Sequence, residues 1–134
     1  MIYLDSSALL KLIRQEAETP RLRDWLAAQP GVPRVSSVLA QVEVVRACHR
    51  YTQAVLAAAR TLLAGLDLIP LSGEVVEVGG EVGESKLRGL DAIHLASALS
   101  IRSELSAFCV YDRRLYAAAG TAGLPAVAPG ARRS

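Results

Sequence analysis

The run Ile2-Tyr3-Leu4-Asp5-Ser6-Ser7-Ala8-Leu9-Leu10 constrains this chain most, because an apolar stretch ends abruptly on a carboxylate followed by two hydroxyls. Residues 2–4 are short and rich in β-branched and aromatic side chains, so they read as a buried parallel strand. Ser6 or Ser7 can accept the free backbone N–H groups of a following helix, whose apolar face would be Ala8, Leu9, Leu12 and Ile13. Asp5 then sits at the carboxyl end of a strand, and in open α/β sheets ligands bind in the crevice outside those ends. Two readings of Asp5 stay open on this position alone: a helix cap, or a carboxylate placed for chemistry.

A chain of 134 residues is long enough for one domain with one core, without disulfides or structural metal. Hydrophobic residues at 51% and charged residues at 21% exclude disorder as the default, and no apolar run approaches the roughly 20 residues of a membrane span. Met1 leads straight into the first strand with no basic, long apolar or cleavage-like segment, so a soluble, cytoplasmic protein is expected. Cys48 and Cys109 lack Cys-x-x-Cys spacing and read as small buried apolar residues. A net charge of +2 is too mild to announce a nucleic-acid binder by bulk electrostatics. Arginine pairs (Arg21 and Arg23, Arg113 and Arg114, Arg132 and Arg133) suit forked phosphate contacts, whereas 4% aromatics argue against a base-stacking platform.

Thr19-Pro20 reads as a helix start with Thr19 as cap, and the segment stops at Gln29-Pro30-Gly31. Residues 33–37 read as a short strand or extended entry, with Ser36 or Ser37 able to cap a helix whose apolar face is Val38, Val42 and Val45. Glu43 lies beside that face, an unusual place for a carboxylate, although Glu43 with Arg46 also fits a surface ion pair. Residues 54–64 are apolar nearly all round, predicting a helix that is central or covered by a partner. Residues 66–70 read as a strand. A helical stretch opened by Ser72 then puts Glu74, Glu77, Glu81 and Glu84 on a solvated side opposite Val75, Val78 and Val82, with Gly79, Gly80 and Gly83 weakening it toward a mobile flap. Residues 89–99 give the strongest helical signal, with Asp91 in the first turn and His94 one turn on. Asp-x-x-His can bind a metal, but His94 reads first as a satisfied core histidine. Residues 107–111 read as a buried strand ending on Asp112, followed by a short helix from Arg113, which repeats the opening pattern. Residues 124–127 fit one more strand, and 129–134 a frayed, flexible tail.

Taken together, Ile2-Tyr3-Leu4-Asp5-Ser6-Ser7-Ala8-Leu9, Glu43, Leu90-Asp91-Ala92-Ile93-His94-Leu95-Ala96 and Val110-Tyr111-Asp112-Arg113-Arg114-Leu115 resemble the PIN-domain ribonucleases, and among them the VapC-type toxins of bacterial toxin–antitoxin pairs. The resemblance runs over nearly the whole length. It implies a PIN domain over residues 1–128, with an α/β three-layer fold whose central, mainly parallel sheet has four to five strands flanked by helices. It also implies that Asp5, Glu43, Asp91 and Asp112 gather at one end of the sheet to bind Mg²⁺ or Mn²⁺. Further implications are RNA as substrate, cleavage to a 5′-phosphate and a 3′-hydroxyl, a cognate VapB-like antitoxin whose extended tail covers the acidic groove, and a homodimer. Two departures stand out: Val110 where the family often has Ser or Thr, and Tyr116 where some members carry a further acid. They suggest a thinner outer layer of ligands or one weaker metal position.

The quartet also has an independent physical case. Two carboxylates about 4 Å apart repel by about 4 kcal/mol at an effective dielectric near 20, so four together need cations or protons. Carboxylates without sulfur favour Mg²⁺ or Mn²⁺ over zinc. Asp5 and Asp91 are assigned as principal ligands, Asp112 as a ligand directly or through water, and Glu43 as ligand or water orienter. Ser7 reads as a cap before it reads as a contact to metal-bound water or phosphate, while Arg113 and Arg114 fit either substrate phosphate or solvated charge. Two other classes are weighed: a non-catalytic PIN-like module binding RNA or protein, suggested by Val110, and a PIN nuclease of RNA maturation or DNA repair without an antitoxin.

Overall fold

The computed structural model describes residues 1–83 and 87–132. Five parallel strands, β1 (Ile2–Leu4), β2 (Arg34–Ser37), β3 (Asp67–Ile69), β4 (Ala107–Cys109) and β5 (Ala126–Val127), form one sheet in the order β3-β2-β1-β4-β5. The connections carry α1 (Ser6–Ile13), α2 (Thr19–Ala27), α3 (Leu39–Cys48), α4 (Gln53–Ala64), α5 (Gly73–Glu81), α6 (Gly89–Ser100) and α7 (Arg113–Thr121). The chain winds outward from β1 through β2 to β3, then crosses back to place β4 on the other side of β1. The order therefore reverses between β1 and β4, where an open α/β sheet forms its crevice. Asp5 follows β1 directly, and Asp112 follows β4 by three residues.

Side-chain alternation along the strands builds the three layers. Ile2, Leu4, Cys109 and Tyr111 point to one face, where they join Ala8, Leu9, Leu22, Ala40, Val44, Ala59 and Leu63 from α1 to α4. Tyr3, Val35, Phe108 and Val110 point to the other, against Leu95 and Ala98 of α6 and Leu115 and Ala119 of α7. Tyr3 and Phe108 stack at 5.1 Å between ring centroids. Cys48 and Cys109 are free thiols fully inside the first core.

Several local readings are corrected. The cap of α1 is Asp5, whose carboxylate accepts the Ala8 N–H, and not Ser6 or Ser7. Thr19 is the first residue of α2 and its buried hydroxyl donates to the Lys11 carbonyl, so it ties α2 to α1 instead of capping. The buried face of α3 is Ala40, Val44 and Cys48, while Val42 is 56% exposed. That face packs on α1 and α4. On α4 only Ala59 and Leu63 are buried; Ala54, Ala57, Ala58 and Ala64 are exposed, so the helix is not central, and of the two readings the one with a covering partner is left open. The segment read as a mobile flap is the helix α5, docked on α6 where Gly79 lies against Ala92, Ile93 and Ala96. Glu74, Glu77 and Glu81 are exposed as expected, and Glu84 lies outside the described residues. Beyond β5, the Tyr111 hydroxyl donates to the Pro129 carbonyl at 2.7 Å and Ala131 packs on the first core. Arg133 and Ser134, at the end of the stretch read as a tail, lie outside the described residues.

Candidate active site

Asp5 answers both readings of its position at once. Its Oδ1 accepts the Ala8 N–H at 3.0 Å and the Ser7 hydroxyl at 2.6 Å, so one oxygen fixes the start of α1. Its Oδ2 makes no hydrogen bond among the described residues, although the side chain is only 3% exposed. Ser7 in turn accepts the Tyr111 N–H at 2.9 Å, which ties the end of β1 to the segment leaving β4. The two strand ends that define the crevice are thus joined through one hydroxyl. Asp112 repeats the device: its Oδ1 caps α7 by accepting the Leu115 N–H at 2.9 Å, and the residue is exposed.

Asp91 and Glu43 arrive from opposite layers. Asp91 sits in the first turn of α6, whose N-terminal positive end favours a carboxylate, and Glu43 projects from the middle of α3. Their charges interact. Burial, joined by the charge of Asp91, raises the Asp5 carboxyl to about 6 against His94 and the hydrogen bonds from Ser7 and Ala8, which pull it down. Asp91 is also raised, by burial first and then by Asp112 and Glu43, with His94 and, less, Arg88 opposing. Each of the other three acids is therefore electrostatically linked to Asp91. The couplings run through Asp91; among the described residues no three His, Cys, Asp or Glu side chains are gathered closely enough to hold a metal ion as they stand.

Glu43 alone moves the other way. Burial pushes its carboxyl up, but hydrogen bonds from His94 and Ser6 outweigh it and leave the group below its ordinary value. Ser6 donates to Oε1 at 2.7 Å, and His94 Nε2 lies 2.7 Å from the same oxygen. His94 is buried and satisfied at both nitrogens, with Nδ1 2.7 Å from the Tyr3 hydroxyl, in keeping with its reading as a core histidine. The reading of Glu43 as a surface partner of Arg46 is not what the structure shows, since its partners come from α1 and α6.

Ser6 and Arg88 are the residues near the acids that sequence reasoning missed. Ser6 was visible only as a cap, and Arg88 carried no signal beyond its place before Gly89. Arg113 and Arg114 are exposed at the start of α7, and Arg114 lines a cavity of about 540 Å³ with Val82, Leu87, Ala117 and Ala118. Val110 is wholly buried in the second core, so its side chain is spent on packing.

The donor set fits a hard divalent cation. It consists of carboxylate oxygens, with Asp5 Oδ2 left outside the helix cap, and mutual repulsion that a cation would relieve.

A PIN domain family model matches residues 2–121. The chain is 46% identical to Ribonuclease VapC47 of Mycobacterium tuberculosis over 136 aligned positions, covering 99% of this chain and 100% of that one. It is 43% identical to Ribonuclease VapC46 of the same species, over 96% of this chain and 97% of the relative. The fold is similar to the crystal structure of Mycobacterium tuberculosis VapC20, described as a Sarcin-Ricin loop cleaving toxin, with a TM-score of 0.74 at 18% identity over 96% of this chain and 100% of that one. It also resembles a chain of a toxin–antitoxin complex from Klebsiella pneumoniae, with a TM-score of 0.72 at 23% identity over 96% and 98%. A doubly wound sheet with four interacting acids at its switch point, matched end to end by these sequences, places the chain in the PIN-domain family, among the VapC ribonucleases.

Proposed function

We propose that this protein is an endoribonuclease toxin that hydrolyses RNA phosphodiester bonds with Mg²⁺ or Mn²⁺ and is neutralised by a cognate VapB-like antitoxin. The observation that carries the reading is the electrostatic linkage of Asp5, Glu43, Asp112 and Asp91 at the point where the sheet order reverses. Asp5 and Asp91 are the principal ligands, Asp112 binds directly or through water, and Glu43 binds or orients the attacking water. A divalent cation held there supplies Lewis acidity that acidifies water and offsets charge on the reacting phosphate.

The chain's own residues do the rest. Asp5 keeps Oδ1 on the helix cap, so its orientation is set before any ligand arrives and Oδ2 is presented to the crevice. Glu43 is anchored through Oε1, which leaves Oε2 to accept a proton from a water or to bind the cation. Arg113 and Arg114, exposed one and two residues past Asp112, suit contacts to the RNA backbone. An antitoxin segment that covers the groove would neutralise the acids with its own cations, and an Arg from it would do so by forked hydrogen bonds. The protein acts in the cytoplasm and as a homodimer in this reading.

The test is cleavage of a structured RNA by the purified chain in Mg²⁺ or Mn²⁺, with EDTA as control. Asp5→Asn keeps the cap and removes the charge, and should lower the rate by at least about 100-fold. Undiminished cleavage by that variant, or cleavage indifferent to EDTA, would refute the reading.

A further inference from the structure

Among the groups buried behind the acids, one chain of hydrogen bonds runs from the sheet's core to the site. The Tyr3 hydroxyl on β1 lies 2.7 Å from His94 Nδ1, and His94 Nε2 lies 2.7 Å from Glu43 Oε1. Ser6 donates to the same Oε1 at 2.7 Å and lies 3.2 Å from Nε2. Tyr3 is wholly buried and His94 is 1% exposed, whereas Glu43 opens toward solvent. The order is therefore phenol, imidazole, carboxylate, from inside to outside.

We infer that His94 is a positioning residue for Glu43 and that Tyr3, two bonds further back, sets the tautomer with which it does so. Both ends of the chain accommodate the same tautomer. A carboxylate oxygen carries no hydrogen, so the contact at Oε1 requires Nε2 to donate. The Tyr3 hydroxyl, 2.7 Å from Nδ1 and beside Ser36 and Ser97, can donate to Nδ1, which is then the acceptor. An imidazole with its hydrogen on Nε2 and a lone pair on Nδ1 satisfies both contacts. The Nδ1–H form loses the Glu43 contact, because it sets two acceptors facing there, and at the other end it makes the phenol an acceptor whose own proton must go to Ser36 or Ser97.

The consequence concerns which oxygen of Glu43 does chemistry. Oε1 takes two donors from two different helices, α1 and α6, so the carboxylate cannot rotate without breaking both contacts. Oε2 is the oxygen left to face substrate or cation. The inference rests on the reading of Glu43 as part of a nuclease site, but the tautomer itself does not depend on activity.

The experiment uses the full chain, ¹⁵N-labelled and kept in chelator, with imidazole nitrogen spectra recorded for the parent and for Tyr3→Phe. The parent should show His94 as a single Nε2–H tautomer, and Tyr3→Phe should show a mixture. In a parallel assay of RNA cleavage with Mn²⁺, Tyr3→Phe should lower kcat by about 10-fold with KM unchanged, the usual cost of losing a partner behind a functional group. His94→Gln, which keeps an amide donor within reach of Glu43, should retain more kcat than His94→Leu. An Nδ1–H parent, a Tyr3→Phe spectrum identical to the parent's, or unchanged kcat in Tyr3→Phe would overturn the inference. Tyr3→Phe preserves ring volume, so it remains decisive even where His94→Leu fails to fold. A parent that cleaves no RNA would defeat the nuclease reading and leave the spectra to decide the tautomer.

Discussion

Asp5 places a carboxylate that is 3% exposed at the end of the central strand, and its cost should be measurable. Burial raises its pKa from 3.8 to about 6, so the folded protein binds this proton more tightly than the unfolded chain does. Stability from this group is therefore full below about pH 4 and is lost as pH rises through about 6, a change of about 3 kcal/mol. Asp5→Asn removes that penalty while keeping an oxygen for the Ala8 N–H. In chelator near pH 8 the variant should be more stable than the parent by about 3 kcal/mol, with the difference vanishing near pH 4. Urea titrations at both pH values check this, and equal stability at pH 8 would show that the buried charge is already compensated by the protein. The acid was legible from sequence, since an apolar strand ending on Asp is conspicuous. The division of labour between its two oxygens was not, because it depends on Ser7 reaching Tyr111 from 104 residues away.

The helices show where residue size misleads. In α3 the valines suggested a face through Val42, yet Ala40, Val44 and Cys48 are inside, on the face that packs on α1 and α4. In α4 a run of alanines looked like a buried or covered helix; alanine is the strongest helix former but gains little from burial, and most of these residues face solvent. In α5 three glycines suggested weakness. There Gly79 serves the contact with α6: an added Cβ would sit 3.8 Å from Ala92, Ile93 and Ala96, at ordinary contact distance. Gly79→Ala should accordingly stabilise the protein by about 0.5–1 kcal/mol, whereas Gly79→Leu should destabilise it by about 1–3 kcal/mol through overpacking. Thermal melts of the two variants would check the opposite signs, and destabilisation by Ala would mean that the helices are closer than described.

At the scale of the molecule, topology turns scattered residues into a site. Strands β1 and β4 are separated by more than 100 residues in the chain yet pair in register, Leu4 beside Cys109, which brings Asp5 and Asp112 to one end of the sheet. Helix α6 adds Asp91 from one layer and α3 adds Glu43 from the other. The parallel sheet was legible because its strands are short, apolar and followed by helix signals, and the repeated strand–Asp–helix pattern marked two of the four acids. The convergence of the other two was not legible from periodicity alone; only the family resemblance anticipated it. Because all four acids are linked through Asp91, a divalent cation should stabilise the folded state as a ligand that binds it selectively.

The most direct measurement is the melting temperature of the parent, Asp91→Asn and Asp5→Asn as Mn²⁺ is titrated into chelated protein. The four-acid site predicts a saturable rise of several degrees for the parent at about 100 times the dissociation constant, and a much smaller rise for either variant at the same Mn²⁺. An equal rise in all three proteins, or none in the parent, would contradict a shared cation site at these carboxylates.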